Sequence, residues 1–235
     1  MEGKLVELTR MRAGIARRMV ESKQQAPHFY VQTEVVMDRV VDALQHANSN
    51  GTTARISVTA PLLRACVEAL RAEPLLNGVW TDAGPLVATE VNIGVAIALE
   101  DGLLAPAILG ADRLDLAELA MALRDLAERA RSKRLTPSEL SDATFTLSNL
   151  GMFDVTAFTA IIPPPQIAIL ATARPVERWL IRDGQPTSQS VLTATLSADH
   201  RAVDGVVAAR FLETFKKALE EFELNLTTDT REELQ

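Results

Sequence analysis

Two hydrophobic periods interleave along this chain without a regular repeat. Apolar residues recur at helical spacing over 9–23, 57–72, 114–132 and 205–221. Short β-branched or alternating runs mark strands at 27–37, 78–81, 90–99, 103–109, 143–149, 167–172 and 191–198. Such an order excludes a doubly wound nucleotide fold, and neither a G-x-G-x-x-G nor a P-loop is present. It predicts an α/β sandwich with a mixed sheet. Local signals agree. Thr9 is placed to cap the first helix, and Asp38 to cap another running to about residue 47. Thr136-Pro137-Ser138-Glu139 has the capping-box pattern with proline at the first helical position. Asn48-Ser49-Asn50-Gly51 and Glu100-Asp101-Gly102 read as loop and turn.

The 235 residues fit one large domain, taken as 1–223, with a polar tail at 224–235. A net charge of −7 argues against nucleic-acid binding. Residues 1–24 nevertheless hold Lys4, Arg10, Arg12, Arg17, Arg18 and Lys23, which read equally as an anion site or a solvated helix face. The single cysteine, Cys66, sits in an apolar helical run and reads as a buried structural thiol. No stretch reaches the ~18 uninterrupted apolar residues of a membrane span. The start lacks an apolar signal core, so a cytoplasmic protein or, if the chain is processed, one from a reducing organelle is expected, with no membrane partner.

Chemistry can reside in few places. Of the three histidines, His46 lies on a polar helical stretch, and His28 precedes Phe29-Tyr30 and suits local packing. No histidine pairs with another, or with Cys66, at metal-ligand spacing, so no metal is expected. His200 stands at a strand-to-helix junction, in Asp199-His200-Arg201-Ala202-Val203-Asp204-Gly205. A side chain there can be presented at the rim of a sheet, although Asp204-Gly205 taken alone also reads as a turn and helix N-cap. A second strand ends in Ser148-Asn149-Leu150-Gly151, where a serine hydroxyl could donate to an oxyanion or simply serve the turn. There is no G-x-S-x-G elbow, so Ser148 does not look like a hydrolase nucleophile. A base and a donor without a protein nucleophile suit direct attack by a substrate nucleophile on an acyl group.

Together these segments resemble the catalytic domain of the dihydrolipoamide acyltransferases, the E2 components of 2-oxo acid dehydrogenase complexes. Asp199-His200-Arg201-x-x-Asp204-Gly205 matches the family's D-H-R-x-x-D-G, and residues 144–153 match its T-F-T-I-S-N-L-G-M-F. Residues 11–19, 26–30, 91–96 and 102–106 follow in family order, and the likeness covers roughly 6–222. H-x-x-x-D-G alone is shared with chloramphenicol acetyltransferases and condensation domains; the combination is specific. The resemblance implies a chloramphenicol-acetyltransferase-like two-layer sandwich working as a homotrimer, with a larger cage open. His200 from one subunit and Ser148 from its neighbour would meet in a channel between them. His200 would act as base, Ser148 as oxyanion donor, and Asp204 would orient the loop, with Arg17 or Arg18 as its candidate partner. Coenzyme A would be a substrate, and the lipoyl group would arrive on a separate domain or chain. The E1 and E3 components would be partners within a complex.

Some features depart from the pattern. Asp154 replaces a common glycine, and Pro163 stands where asparagine usually precedes Pro-Pro. Both bear on channel shape and acyl preference. The family's chains carry lipoyl and subunit-binding domains before this core, and neither is present in these residues, so an excised domain and a free-standing homologue are both open. The polar tail argues against a large cage. Ser-Asn-Leu-Gly-Met-Phe resembles the pyruvate-type enzymes, which makes acetyl the expected acyl group. Competing readings keep the chemistry with a carrier-protein pantetheine thiol as acceptor, or make the chain a non-catalytic scaffold.

Overall fold

The structure, a computed structural model, describes residues 3–49, 56–99, 102–182 and 184–224. Asn50-Gly51, Glu100-Asp101 and the tail from 225 onward lie outside the described residues. The chain opens with α1 (Arg10–Gln25), where the Thr9 hydroxyl accepts from Arg12 N at 3.2 Å. β1 (His28–Val36) and α2 (Asp38–Ser49) follow. The Asp38 carboxylate at the start of α2 accepts from Ser190 N at 2.8 Å, tying the helix to a distant strand. α3 (Thr59–Ala72) begins two residues later than its sequence signal: Ser57 O closes only a three-residue turn with Ala60 N, and the first four-residue bond runs from Leu62 N to Val58 O. A hairpin of β2 (Gly78–Thr81) and β3 (Gly84–Val87) comes next.

The expected strand over 90–99 is two strands. β4 (Ile93–Val95) belongs to the main sheet, and β5 (Ile97–Leu99) turns away to pair with β6 (Gly102–Leu104). Between them Ala96 N donates to Leu147 O at 3.0 Å. The expected strand over 103–109 is likewise broken at Pro106, leaving β7 (Ala107–Ile108), because proline has no N–H for a ladder. α4 (Leu116–Arg131) and α5 (Pro137–Ser141) both start with complete capping boxes, at Asp115/Glu118 and Thr136/Glu139. β8 (Phe145–Asn149), β9 (Ala168–Thr172), β10 (Val176–Arg182), the 15-residue β11 (Gln185–Asp199) and α6 (Gly205–Glu220) complete the chain.

The main sheet runs β1-β11-β9-β8-β4-β7, with β10 pairing the first half of β11. Its β4–β8 and β8–β9 pairs are parallel and the rest antiparallel, so the sheet is mixed as expected. The pleat sends successive side chains to opposite faces. Phe145 and Leu147 of β8, and Leu192, Ala194, Leu196 and Ala198 of β11, face the helices and join the core. α3 is apolar around most of its circumference, from Ala60 through Leu63 to Leu70, because α4 and α6 pack against it and its side chains join the core on the helical side of the sheet. Cys66 is fully buried there, and burial pushes its thiol well above the ordinary range. The opposite face of the sheet is polar: Thr146 and Ser148, and then Thr193, Thr195, Ser197 and Asp199, all buried. That face carries the site.

Candidate active site

Ser148 sits near the end of β8. Leu150 N prolongs the strand by donating to Thr172 O at 2.9 Å, after which Asn149 folds the chain back: its Oδ1 accepts from Gly151 N at 2.8 Å and its Nδ2 donates to Thr59 Oγ1 at 3.1 Å. The turn thus anchors the start of α3, and among the described residues no hydrogen bond holds the Ser148 hydroxyl. Ser148 lines a cavity of about 630 Å³. Ile15 and Met19 of α1, Leu103 of β6 and Pro163, Pro164 and Pro165 form apolar walls, with Arg18 also in the lining. The wall segment is stitched to neighbouring elements: Ser22 Oγ donates to Ile162 O at 2.6 Å, and Ser197 Oγ to Ala160 O at 2.8 Å. His28 adds a third stitch. Its Nε2 accepts from Ile162 N at 3.1 Å while its other ring nitrogen meets Ala26 O at 2.8 Å. That pattern needs a neutral ring, and burial depresses its pKa accordingly, although the Ala26 carbonyl acts in the opposite direction.

His200 lies at the other end of the sheet, immediately after β11. Its N–H donates to Pro27 O at 3.0 Å, and its ring rests on Phe29, 4.6 Å between centroids, with the residue exposed. The loop that carries it is held by two residues the sequence reading did not single out. Asp199, 1% exposed, accepts from the Arg201 backbone N–H at 3.0 Å and from its guanidinium at 2.6, 3.0 and 3.1 Å. Arg201 in turn lies over the Trp80 ring, 4.2 Å from its centroid. Ala202 N and Val203 N close the turn onto Asp199 O. The signal available in sequence was the acid–arginine pair flanking the histidine, but only the fold puts Trp80 beneath it.

Asp204 is the N-cap of α6. Its Oδ1 accepts from Val206 N at 2.9 Å and Val207 N at 3.0 Å, which lowers its pKa, with the nearby His200 and Arg210 contributing less. Among the described residues it pairs with neither Arg17 nor Arg18. Asp154 forms a surface pair with Arg174 at 2.8 Å. The structure does not bring Ser148 and His200 together within one chain. Ser148 is level with Thr195 across two strand spacings, and His200 lies five residues further along β11. At ~3.3 Å per residue and ~4.8 Å per strand this is a Cα separation of about 19 Å, beyond the combined reach of the two side chains.

Among the described residues, no three His, Cys, Asp or Glu side chains gather in a way that could hold a metal ion, and no helix is long and apolar enough to cross a membrane. The arrangement offers an exposed imidazole on a rigid loop and, elsewhere, a hydroxyl at a mostly apolar cavity.

Comparison with known proteins gives this arrangement a context. Residues 2–227 match the family described as 2-oxoacid dehydrogenases acyltransferase (catalytic domain). The dihydrolipoyllysine-residue acetyltransferase component of the pyruvate dehydrogenase complex of Rickettsia felis is 38% identical over 222 residues, 93% of this chain and 54% of that protein. The chain thus spans about half the length of the curated relatives it matches. A probable dihydrolipoamide acetyltransferase from Listeria monocytogenes superposes with a TM-score of 0.90 at 29% identity, covering 96% of this chain and 97% of the other. A structure of Azotobacter vinelandii dihydrolipoamide acetyltransferase, concerned with the role of a serine, a histidine and an asparagine in its catalytic mechanism, superposes at 0.86 with 31% identity, covering 94% and 92%. A chloramphenicol acetyltransferase, 16% identical with a TM-score of 0.57, shares the fold. The chain belongs to the 2-oxoacid dehydrogenase acyltransferase family, as a catalytic domain.

Proposed function

We propose that this domain transfers an acyl group, acetyl in the first instance, between the thiol of dihydrolipoamide and the thiol of coenzyme A. The observation that carries the reading is spacing. In the Azotobacter enzyme the serine precedes the histidine by 52 residues and the asparagine follows it by four; Ser148, His200 and Asp204 repeat both intervals. The position of the asparagine is Asp204 here, and either side chain can cap a helix. The 19 Å gap within one chain supports a site shared between copies, His200 of one facing the Ser148 cavity of another, in a homotrimer.

The chemistry then needs no protein nucleophile. A thiol is mostly protonated at neutral pH, whereas the thiolate attacks. The His200 imidazole takes that proton as the sulfur adds to the thioester carbonyl carbon, a role typically worth ~10²–10⁴-fold. The carbonyl π electrons move onto oxygen, and the Ser148 hydroxyl donates to the resulting oxyanion. When the tetrahedral intermediate collapses, the second thiol leaves and recovers the proton from the imidazolium. One thioester replaces another, so the reaction runs in both directions. Phe29 and the Asp199–Arg201 pair hold the imidazole in place; Asp204 fixes the start of the following helix. The lipoyl group would come on a lipoyl domain or another acyl carrier, and the E1 and E3 components would be partners in the assembled complex.

The test is acetyl transfer from acetyl-CoA to free dihydrolipoamide by wild type and His200→Ala, with solution mass measured by light scattering. The reading expects a trimer or a multiple of it, and a rate at least ~100-fold lower in the variant. An assembled wild type that transfers no acetyl would redirect the reading to another acyl group, a carrier-protein acceptor or a scaffold.

A further inference from the structure

One polar side chain in the Ser148 cavity has no part in the transfer chemistry just described. Gln166 lines the cavity and is 8% exposed. Its backbone is fixed on both sides: Trp80 N donates to Pro165 O at 2.7 Å, Ile167 N to Gly78 O at 3.1 Å, and Gln166 N to Pro163 O at 2.9 Å. Its Oε1 accepts from Thr146 Oγ1 at 2.7 Å, which leaves the amide nitrogen as the group presented to the cavity. That nitrogen has no partner among the described residues, and it is not among the fully enclosed side-chain atoms left unpaired, which are Thr172 Oγ1 and Gln189 Oε1. It therefore offers two N–H donors to whatever fills an otherwise mostly apolar space. The neighbouring strand leaves room for the pair: a Cβ on Gly94 would lie 2.8 Å from Thr146 Oγ1 and displace it.

The position of this donor relative to Ser148 limits what it can hold. Gln166 is anchored on Thr146, which lies two residues from Ser148 on the same face of β8, an offset of about 6.6 Å along the strand. Two donors anchored about one strand repeat apart suit two carbonyls at a comparable separation. In an acyl thioester of pantetheine, five bonds join the thioester carbonyl carbon to the first amide carbonyl carbon, about 6.5 Å when extended. In an acyl thioester at the terminal thiol of the dihydrolipoyl arm the corresponding path is nine bonds, about 11 Å. We propose that Gln166 is a substrate-positioning residue whose amide donates to the first amide carbonyl of a pantetheine arm while Ser148 serves the thioester, so that the cavity measures the distance between thioester and amide. This rests on the acyl-transfer reading above.

Two small donors test it with the assembled protein and free dihydrolipoamide as acceptor. S-acetyl-N-acetylcysteamine keeps the amide at the pantetheine position; S-pentyl thioacetate replaces it with methylenes. Wild type is expected to favour the first by about tenfold or more in kcat/KM. Gln166→Leu removes the donors. Gln166→Glu keeps an acceptor for Thr146 while removing the N–H groups, and is the control for packing. Both variants are expected to lose the preference, mainly through KM with S-acetyl-N-acetylcysteamine, and to use S-pentyl thioacetate as wild type does. A preference that survives in either folded variant, or an equal loss with both donors, would overturn the assignment. So would a wild type that uses the two donors equally, a result obtained even if neither variant folds. A wild type that transfers acetyl from neither donor nor from acetyl-CoA would overturn the acyl-transfer reading instead, and this assignment with it.

Discussion

The Asp199–Arg201 pair makes an asymmetric prediction, because its two members differ in access to water. The Asp199 side chain is 1% exposed and that of Arg201 31%. Arg201→Met removes the guanidinium and leaves a carboxylate enclosed with only the backbone N–H of residue 201 as donor. Removing one member of a buried pair costs about 3–5 kcal/mol, and the retained backbone bond places this case near 3. Asp199→Asn keeps an acceptor of the same shape and leaves a guanidinium that water can reach and that still rests on Trp80, so about 1 kcal/mol is expected. The arginine variant should therefore be the less stable of the two in urea melts at pH 7. Both variants loosen the loop between Asp199 and Asp204, and a displacement of His200 by ~1 Å is enough for a loss of up to ~10²-fold in acetyl transfer. Equal melts for the two variants, or the reverse order, would refute the claim that enclosure of the carboxylate governs the pair.

Three further outcomes follow from other contacts. Ser148→Ala should lower kcat for acetyl transfer by on the order of 3 kcal/mol in barrier while leaving the thermal midpoint nearly unchanged, since the hydroxyl holds nothing in the fold; kinetics beside calorimetry check this. Glu139, lowered to about 2 by the Arg129 guanidinium at 2.6 and 2.7 Å, is charged in the folded state well below the pH at which it protonates when unfolded. Its contribution, about 3 kcal/mol at most, is complete above the unfolded value of 4.5 and is lost as pH falls toward 2, so Glu139→Gln should destabilise at pH 7 and be nearly neutral at pH 2. His28 behaves in the opposite chemical sense: its folded pKa lies below 6.5, so the unfolded chain takes up the proton first and stability falls as pH drops below that value. His28→Gln, which cannot charge, should remove that part of the acid sensitivity between pH 7 and 5; hydrogen exchange at Ile162 reports it directly.

The fold was legible wherever local pattern and tertiary demand agree. Thr9 and Thr136 each accept from the backbone of the helix they precede, and the alternation over 143–149 separates a core face from a cavity face. The reading failed where tertiary pairing overrides local pattern. The apolar run over 90–99 gives no sign that Ala96 is the point at which the chain leaves one sheet for another. β10 was missed because Trp179 and Ile181 are exposed, so its alternation carries no hydrophobic contrast. The site was half legible. His200, Ser148 and Asp204 stand out as residue types at junctions, but Asp204 works in the folded chain as a helix cap. The pair that holds the His200 loop depends on Trp80, more than 100 residues earlier in the chain.

The two faces of the sheet explain why folding and chemistry interfere so little here. The strands place their even or odd positions against the helices and fill that side with Phe145, Leu147, Leu192 and Leu196, which is where most of the burial energy resides. The same strands then have their alternate positions free of that duty, and those carry hydroxyls, an amide contact and a carboxylate. A one-residue slip in β8 or β11 would exchange the two sets, burying Ser148 in the core and exposing leucines to the cavity. Register therefore links stability to function: the apolar pattern that selects the fold also fixes Ser148 and Thr146 two residues apart on the cavity side. It also sets Asp199 at the strand end, where Arg201 can hold the loop of His200.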